Sequence, residues 1–171
     1  MWSEVEPSQF AWEREALAFL KAGLPNHEPY RAWSNFEFVA DDGSVNEVDA
    51  LVIGRPGLFL VEIKSHPGVI TGDQQRWTWT RPNDGGHSTF DNPLLAANRK
   101  ARKLRSLLQR QPAYVSAKVP TPWVEPLVFL SSASLDCLPA GLALRIADGR
   151  LADPPSVHAC LAEPRRGWNG G

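Results

Sequence analysis

The stretch from Asn46 to Lys64 constrains this chain more than any other. Two runs, Val48–Ile53 and Leu58–Ile63, flank Gly54-Arg55-Pro56-Gly57. Both are rich in the branched and aromatic residues that favour strands. A turn with Arg55 and Pro56 at its centre joins them into an antiparallel hairpin. In that register Ile53 faces Leu58, Leu51 faces Leu60, Asp49 faces Glu62 and Glu47 faces Lys64. Side chains alternate along a strand, so all eight share one face. That face is apolar near the turn and charged beyond it. Directly opposed residues have Cβ atoms roughly 4.5–5.5 Å apart, and like charges so placed repel. Two explanations stand for the opposed acids. The charged ends fray into water, with Glu47–Lys64 a surface ion pair worth ~0–1 kcal/mol. Alternatively, Asp49 and Glu62 share a hard divalent cation, which takes carboxylate oxygens. A register shift of one residue would separate the pair.

A length of 171 residues suits one domain with a real core. With 43% hydrophobic and 22% charged residues the chain is ordinary folded material. The formal net charge of −1 gives no global attraction to nucleic acid. The distribution is less even, because Arg99, Lys100, Arg102, Lys103, Arg105 and Arg110 fall within one short stretch that has no acid. Cys137 and Cys160 lack CxxC spacing, so neither a zinc site nor a disulfide framework is indicated. His27, His66, His87 and His158 are scattered. No stretch is long and apolar enough to span a membrane, and the first residues do not read as a signal peptide. A cytoplasmic location without membrane partners is the expectation.

The flanking elements follow in order. A first helix is expected over 8–22, capped by Ser8 and ended by Gly23 and Pro25. Phe10, Trp12, Ala16, Leu17, Phe19 and Leu20 make its apolar stripe. Glu13 lies inside that stripe. It is either a helix-end carboxylate favoured by the dipole, worth ~0.3–1 kcal/mol, or one aimed at Asp49 and Glu62. A strand is expected over 30–39 and a turn at Asp41–Ser44. Partial alternation over 69–80 suggests more antiparallel strand, and the polar, Gly-rich 81–92 reads as a loop. A second helix is expected over 93–110, with Pro93 in its first turn and Asp91 or Asn92 as cap. Leu94, Ala97, Ala101, Leu104 and Leu108 would be its buried face. The bases on the rest of its surface are either a solvated face or a phosphate contact. Val124–Leu130 reads as a buried strand. A strand–helix–strand unit in one sheet calls for a right-handed crossover. Residues 131–171 read as irregular, with a short strand within Leu142–Ile146.

In this order the chain resembles the restriction-endonuclease-like core, whose signature is an acid followed by (Asp/Glu)-x-Lys. More narrowly it resembles the nuclease-related domain, NERD. The matching stretches are Trp12-Glu13, Leu24-Pro25, Glu47-Val48-Asp49, Gly57 to Lys64, Gly68-Val69-Ile70 with Gly72, Trp77, and Asn92-Pro93. Val5–Phe10, Arg31–Phe36 and Phe90–Leu94 are more similar still to the front of the large serine/threonine kinase of phage growth limitation (BREX-type) defence systems. The chain has no kinase Gly-rich loop, catalytic loop or Asp-Phe-Gly, so it would be the front of such a protein or a standalone relative.

The resemblance implies an α/β fold, a mixed central sheet flanked by helices in αβββαβ order. It implies a nuclease-related domain over 8–135, followed by an irregular extension or the start of a further region over 136–171. It makes Asp49 and Glu62 ligands of Mg²⁺ or Mn²⁺, Lys64 the group that orients or activates water at the phosphate, and Glu13 an accessory carboxylate. Arg99, Lys100, Arg102, Lys103 and Arg105 would meet DNA. The family often has Gln at the position of Ala96. Lys100, one turn later, would replace it as a phosphate contact, or the site would be crippled. Two functions stay open. One is a metal-dependent nuclease acting on DNA in phage defence. The other is an inactive DNA-binding or sensing module that directs an attached kinase or defence proteins. A glycoside-hydrolase carboxylate pair fits poorly, since a lysine sits beside the acids and no aromatic sugar cleft is signalled.

Overall fold

The hairpin forms in the expected register. A computed structural model describes residues 1–118 and 120–132, together with the backbone at 135–139, 144–145 and 160–162. Strands β1 (Trp2–Glu4), β2 (Arg31–Val39), β3 (Val45–Gly54) and β4 (Gly57–Lys64) surround helix α1 (Ala11–Gly23) in sequence. They are followed by β5 (Gly68–Gly72), β6 (Arg76–Thr80), β7 (His87–Asp91), helices α2 (Pro93–Gln109) and α3 (Pro112–Ala117), and β8 (Val124–Leu130). Short strand β10 (Leu144–Arg145) falls within the expected Leu142–Ile146, while β9 (Leu135–Pro139) and β11 (Cys160–Ala162) lie in the stretch expected to be irregular. The larger sheet runs β1-β2-β3-β4-β8-β11-β10 and the smaller runs β7-β6-β5-β9. The β4–β8 pairing is parallel, bridged in sequence by α2, while β2–β3 and β3–β4 are antiparallel. This is the expected mixed α/β core, with three strands of a second sheet, β5, β6 and β7, inserted between β4 and α2. Among the described residues no helix is long and apolar enough to cross a membrane.

The two faces of the larger sheet carry different helices. Leu58 and Leu60 of β4 and Val124 of β8 pack with Ala97, Ala101 and Leu104 of α2. Ala50, Val61, Ile63, Leu127 and Phe129 pack with Ala16 and Leu17 of α1. Of the apolar stripe expected on α1, only Ala16 and Leu17 are buried. Phe10 and Trp12 are exposed and stack on each other at 5.6 Å. Helix α1 also starts later than expected. Phe10 is extended at the N-cap without a side-chain cap bond. Ser8, two residues earlier, accepts the Phe10 N–H at 3.2 Å and donates to the Glu13 carboxylate.

Residues 81–92 are not all loop, because His87–Asp91 pair with β6. Strand β7 lies at the sheet edge with mostly exposed side chains, so no apolar alternation marks it in the sequence. In the same sheet Gly68 has φ +114, and a Cβ there would strike the Thr80 carbonyl. A Cβ on Gly72 would strike the Arg76 carbonyl. The β5–β6 hairpin therefore closes only with glycine at both places.

Asn92 joins this sheet to α2. Its side-chain oxygen accepts the Leu94 N–H at 2.9 Å, and its amide group donates to the Asp73 and Gln74 carbonyls at 3.4 and 3.2 Å. Ile70 and Trp77 of the small sheet pack with Leu94, Val128 and Leu130. The Asn92→Ala variant loses a helix cap and two buried ties. It should be destabilised by on the order of 1–3 kcal/mol, read as a lower urea midpoint. Asn92→Asp should recover the cap portion alone.

Candidate active site

The charged end of the hairpin does not continue as a ladder. The β3–β4 pairs stop at Ala50–Val61. Beyond that point β3 follows β2, with Glu47 opposite Glu37, and β4 follows β8, with Lys64 opposite Leu130. Neither the expected Asp49–Glu62 rung nor the Glu47–Lys64 rung is therefore made, because the sheet forks between them. Asp49 stands in the crotch of the fork. Its Oδ2 accepts the Ile63 N–H at 2.6 Å, an amide that a continued ladder would give to a β3 carbonyl. On the other side of β3, the Asn35–Asp49 position is absent from the β2–β3 ladder. Asn35 there has φ +52. The alternation slips at this point, so Val48 joins the same cluster as Leu51 and Ile53.

Glu62 is 8% exposed and is held at both oxygens. Lys64 Nζ lies 2.8 Å from Oε1, and Lys100 Nζ lies 2.8 Å from Oε2. Lys64 reaches it because residues two apart on a strand share a face. Lys100 reaches it because the apolar stripe of α2 seats that helix over β4 and β8. Two carboxylates and two ammonium groups thus make a cluster with balanced formal charge. Burial and the neighbouring Glu62 charge raise the Asp49 pKa to about 6, against the Ile63 amide, Lys64 and Lys100. Burial also pushes Glu62 up, but the bonds from Lys100 and Lys64 outweigh it and hold Glu62 below the usual range. His66 adjoins the cluster. It stacks on Trp79 at 4.8 Å, and burial and the Lys64 charge lower its pKa.

The structure divides the other sequence candidates. Glu13 has Ser8 as its partner, and α1 packs on the face of the sheet opposite α2. At about 100° per residue, Lys100, Lys103 and Arg110 lie to one side of the buried stripe of α2. Acids from the β2–β3 turn meet that side. Lys103 contacts Asp42 at 2.9 Å and the Ser44 hydroxyl at 2.7 Å, and Arg110 contacts Asp41 at 3.0 Å. Hydrogen bonds from Ser44 and Lys103 hold Asp42 far below the usual carboxylate range. Arg102 and Arg105 lie to the other side, and with Arg99 they take no part in an ion pair among the described residues. The helical wheel places Lys100 at the shoulder of the buried face, but nothing in the sequence says that it meets Glu62. His66 and Asn35 carried no signal of their own.

The donor chemistry suits a hard cation. Two carboxylates converge, the donor type that a hard cation takes. Among the described residues no group of three or more His, Cys, Asp or Glu is placed to hold a metal. A cation here would draw its remaining oxygens from water or phosphate. Each Glu62 oxygen that accepts from a lysine keeps a second lone pair for a cation.

The family model described as the nuclease-related domain matches residues 8–131. The chain is 44% identical over 107 residues to a protein of Streptomyces coelicolor named "Probable kinase PglW". It is 27% identical over 82 residues to an uncharacterized protein of Bacillus anthracis. These stretches cover 63% and 48% of this chain but only 7% and 39% of the two relatives. No solved structure matches significantly.

The raised Asp49 pKa has a signed consequence for stability. A carboxyl group that holds its proton more tightly when folded stabilises the fold fully below its unfolded pKa of about 3.9. That contribution is lost as pH rises through about 6. Asp49→Asn keeps an oxygen for the Ile63 amide and cannot ionise. Its melting temperature should match that of the wild type near pH 4 and exceed it above pH 7, by on the order of 2–3 kcal/mol of stability. Parallel melting curves across that range would contradict the assignment.

Proposed function

Because the chain belongs to the nuclease-related domain family, we propose that it hydrolyses DNA phosphodiester bonds with Mg²⁺ or Mn²⁺ held by Asp49 and Glu62. The observation that carries this reading is the convergence of both carboxylates at the fork, with Lys64 bonded to one of them at 2.8 Å. When bound, such a cation neutralises the phosphodiester and lowers the pKa of attacking water. The chain's own groups do the rest. Asp49 must be ionised to serve as a ligand, so protons compete with the cation for it. Lys64 offers a compact positive charge to the phosphate oxygens, where charge accumulates as water adds and the phosphorus–oxygen bond breaks. Lys100 supplies the phosphate contact that Ala96 does not. Arg99, Arg102 and Arg105 are available to the DNA backbone, whereas Lys103 is committed to Asp42.

One observation favours a second reading. Both Glu62 oxygens are taken by lysines, an arrangement stable without metal. On that reading the domain binds DNA without cutting it and directs an attached kinase region. The 44% identity to a stretch of a protein named as a probable kinase supports that linkage.

Cleavage assays with Mg²⁺ and Mn²⁺ on supercoiled, linear duplex and single-stranded DNA separate the two. The nuclease reading expects Asp49→Ala, Glu62→Ala and Lys64→Ala each to lower cleavage by on the order of 100-fold or more. Cleavage that survives both carboxylate substitutions would refute it. Salt-dependent DNA binding without product, weakened by Arg99→Ala and Arg105→Ala, would establish the binding module.

A further inference from the structure

The outer side of α2 holds a recess that the catalytic cluster does not use. Arg102, Arg105 and Ser106 line it with Trp123, which precedes β8, and its volume is about 750 Å³. That falls within the usual range of small-ligand pockets, roughly 300–1,000 Å³. Trp123 is 52% exposed, an unusual position for the largest apolar side chain. The Arg105 guanidinium lies over its ring, 5.3 Å from the centroid. The Nε of Arg105 is buried and makes no hydrogen bond among the described residues. Arg102 is three residues away on the helix, so the two guanidinium groups project side by side. The Ser106 hydroxyl adds another donor.

We propose that this recess is a subsite for one unpaired nucleotide of a nucleic-acid strand, with its base stacked on Trp123 and its phosphate held by Arg102 and Arg105. The features fit that ligand jointly. A flat π-surface accepts any base, because every base has a face to stack. Two adjacent guanidinium groups match phosphate oxygens in paired hydrogen bonds. A phosphate alone has no use for the indole, and a base alone has no use for two cations. The base must be unpaired, because in a duplex its faces are already covered by neighbouring base pairs. The recess lies on the side of α2 away from Lys100. A strand touching both must cross the helix, about 10–12 Å wide with side chains. The stacked nucleotide is therefore not the one being cut. The inference rests on the nucleic-acid reading above and deepens it: the substrate carries a single-stranded segment beside the scissile bond.

The test uses the whole chain without divalent cation, so that binding is read apart from cleavage. Fluorescence anisotropy follows labelled oligothymidylate and a labelled blunt duplex at fixed salt. The expected result is that Trp123→Ala weakens oligothymidylate binding about 5- to 100-fold and leaves duplex binding unchanged. Trp123→Phe should recover most of the loss. Arg105→Ala should weaken binding and reduce the salt dependence by about one counterion. Circular dichroism shows whether each variant is folded. Wild-type protein that does not bind oligothymidylate would overturn the proposal, as would Trp123→Ala binding it normally or losing both ligands equally. Thymidine monophosphate competing as well as the oligomer would overturn the strand assignment. The two readings fail separately. Cleavage of duplex DNA with Trp123-independent binding removes the subsite and keeps the nuclease. Trp123-dependent binding without any cleavage does the reverse.

Discussion

The Asp49 carboxylate accepts the Ile63 backbone amide, and that bond is what lets the sheet fork. A buried strand amide left unpaired costs about 1–3 kcal/mol, so β3 and β4 could not part at Ala50–Val61 without a substitute acceptor. Asp49 supplies it and β3 turns away to follow β2. The fork in turn creates the next problem. It leaves Asp49 beside Glu62 in a partly buried place, where two carboxylates repel. The protein answers with Lys64 on one oxygen of Glu62 and Lys100 on the other. Removing Glu62 leaves both lysines without their carboxylate, and removing either lysine leaves one of its oxygens uncompensated. The groups of the candidate active site are also the groups that make the fork tolerable.

Helix α2 carries this dependence outward. Lys100 reaches Glu62 only because Ala97, Ala101 and Leu104 seat the helix on the sheet and Asn92 fixes where it begins. The seating then sorts the basic residues. Those facing the β2–β3 turn pair with Asp41 and Asp42, and those on the far side form no ion pair among the described residues. Exposed pairs of this kind contribute little stability, typically 0.2–1 kcal/mol. Their effect is on the field: they cancel positive charge near the turn and leave it around Trp123. What reads in sequence as one basic helix is two surfaces, one of them neutralised by the acids of the β2–β3 turn.

The small sheet closes another side. Its glycines allow β5 and β6 to approach closely, and Trp77 fills the space against Val128 and Leu130. His66 and Trp79 stack beside the cluster. Aromatic walls near charged groups reduce water and strengthen the electrostatics among them. The insertion between β4 and α2 thus bears on the site as well as on the fold.

Local geometry was legible in the chain. The branched residues around Gly54-Arg55-Pro56-Gly57 set the hairpin and its register, and Pro93 after Asp91 and Asn92 set the start of α2. Both rest on backbone preferences acting over a few residues. Register and spacing brought Asp49 near Glu62 and put Lys64 on the face of Glu62, although the ladder ends before an Asp49–Glu62 rung can form. The edge strand β7 was hidden because an exposed strand needs no apolar alternation, and the start of α1 moved because Ser8 bonds Phe10 and Glu13 instead of capping. Only the tertiary structure decided where the ladder ends, which acid each base of α2 meets, and that Lys100 rather than Glu47 shares the cluster. Those outcomes depend on contacts between segments far apart in the chain, where Coulomb energy and burial are set by distances that no short stretch of sequence contains.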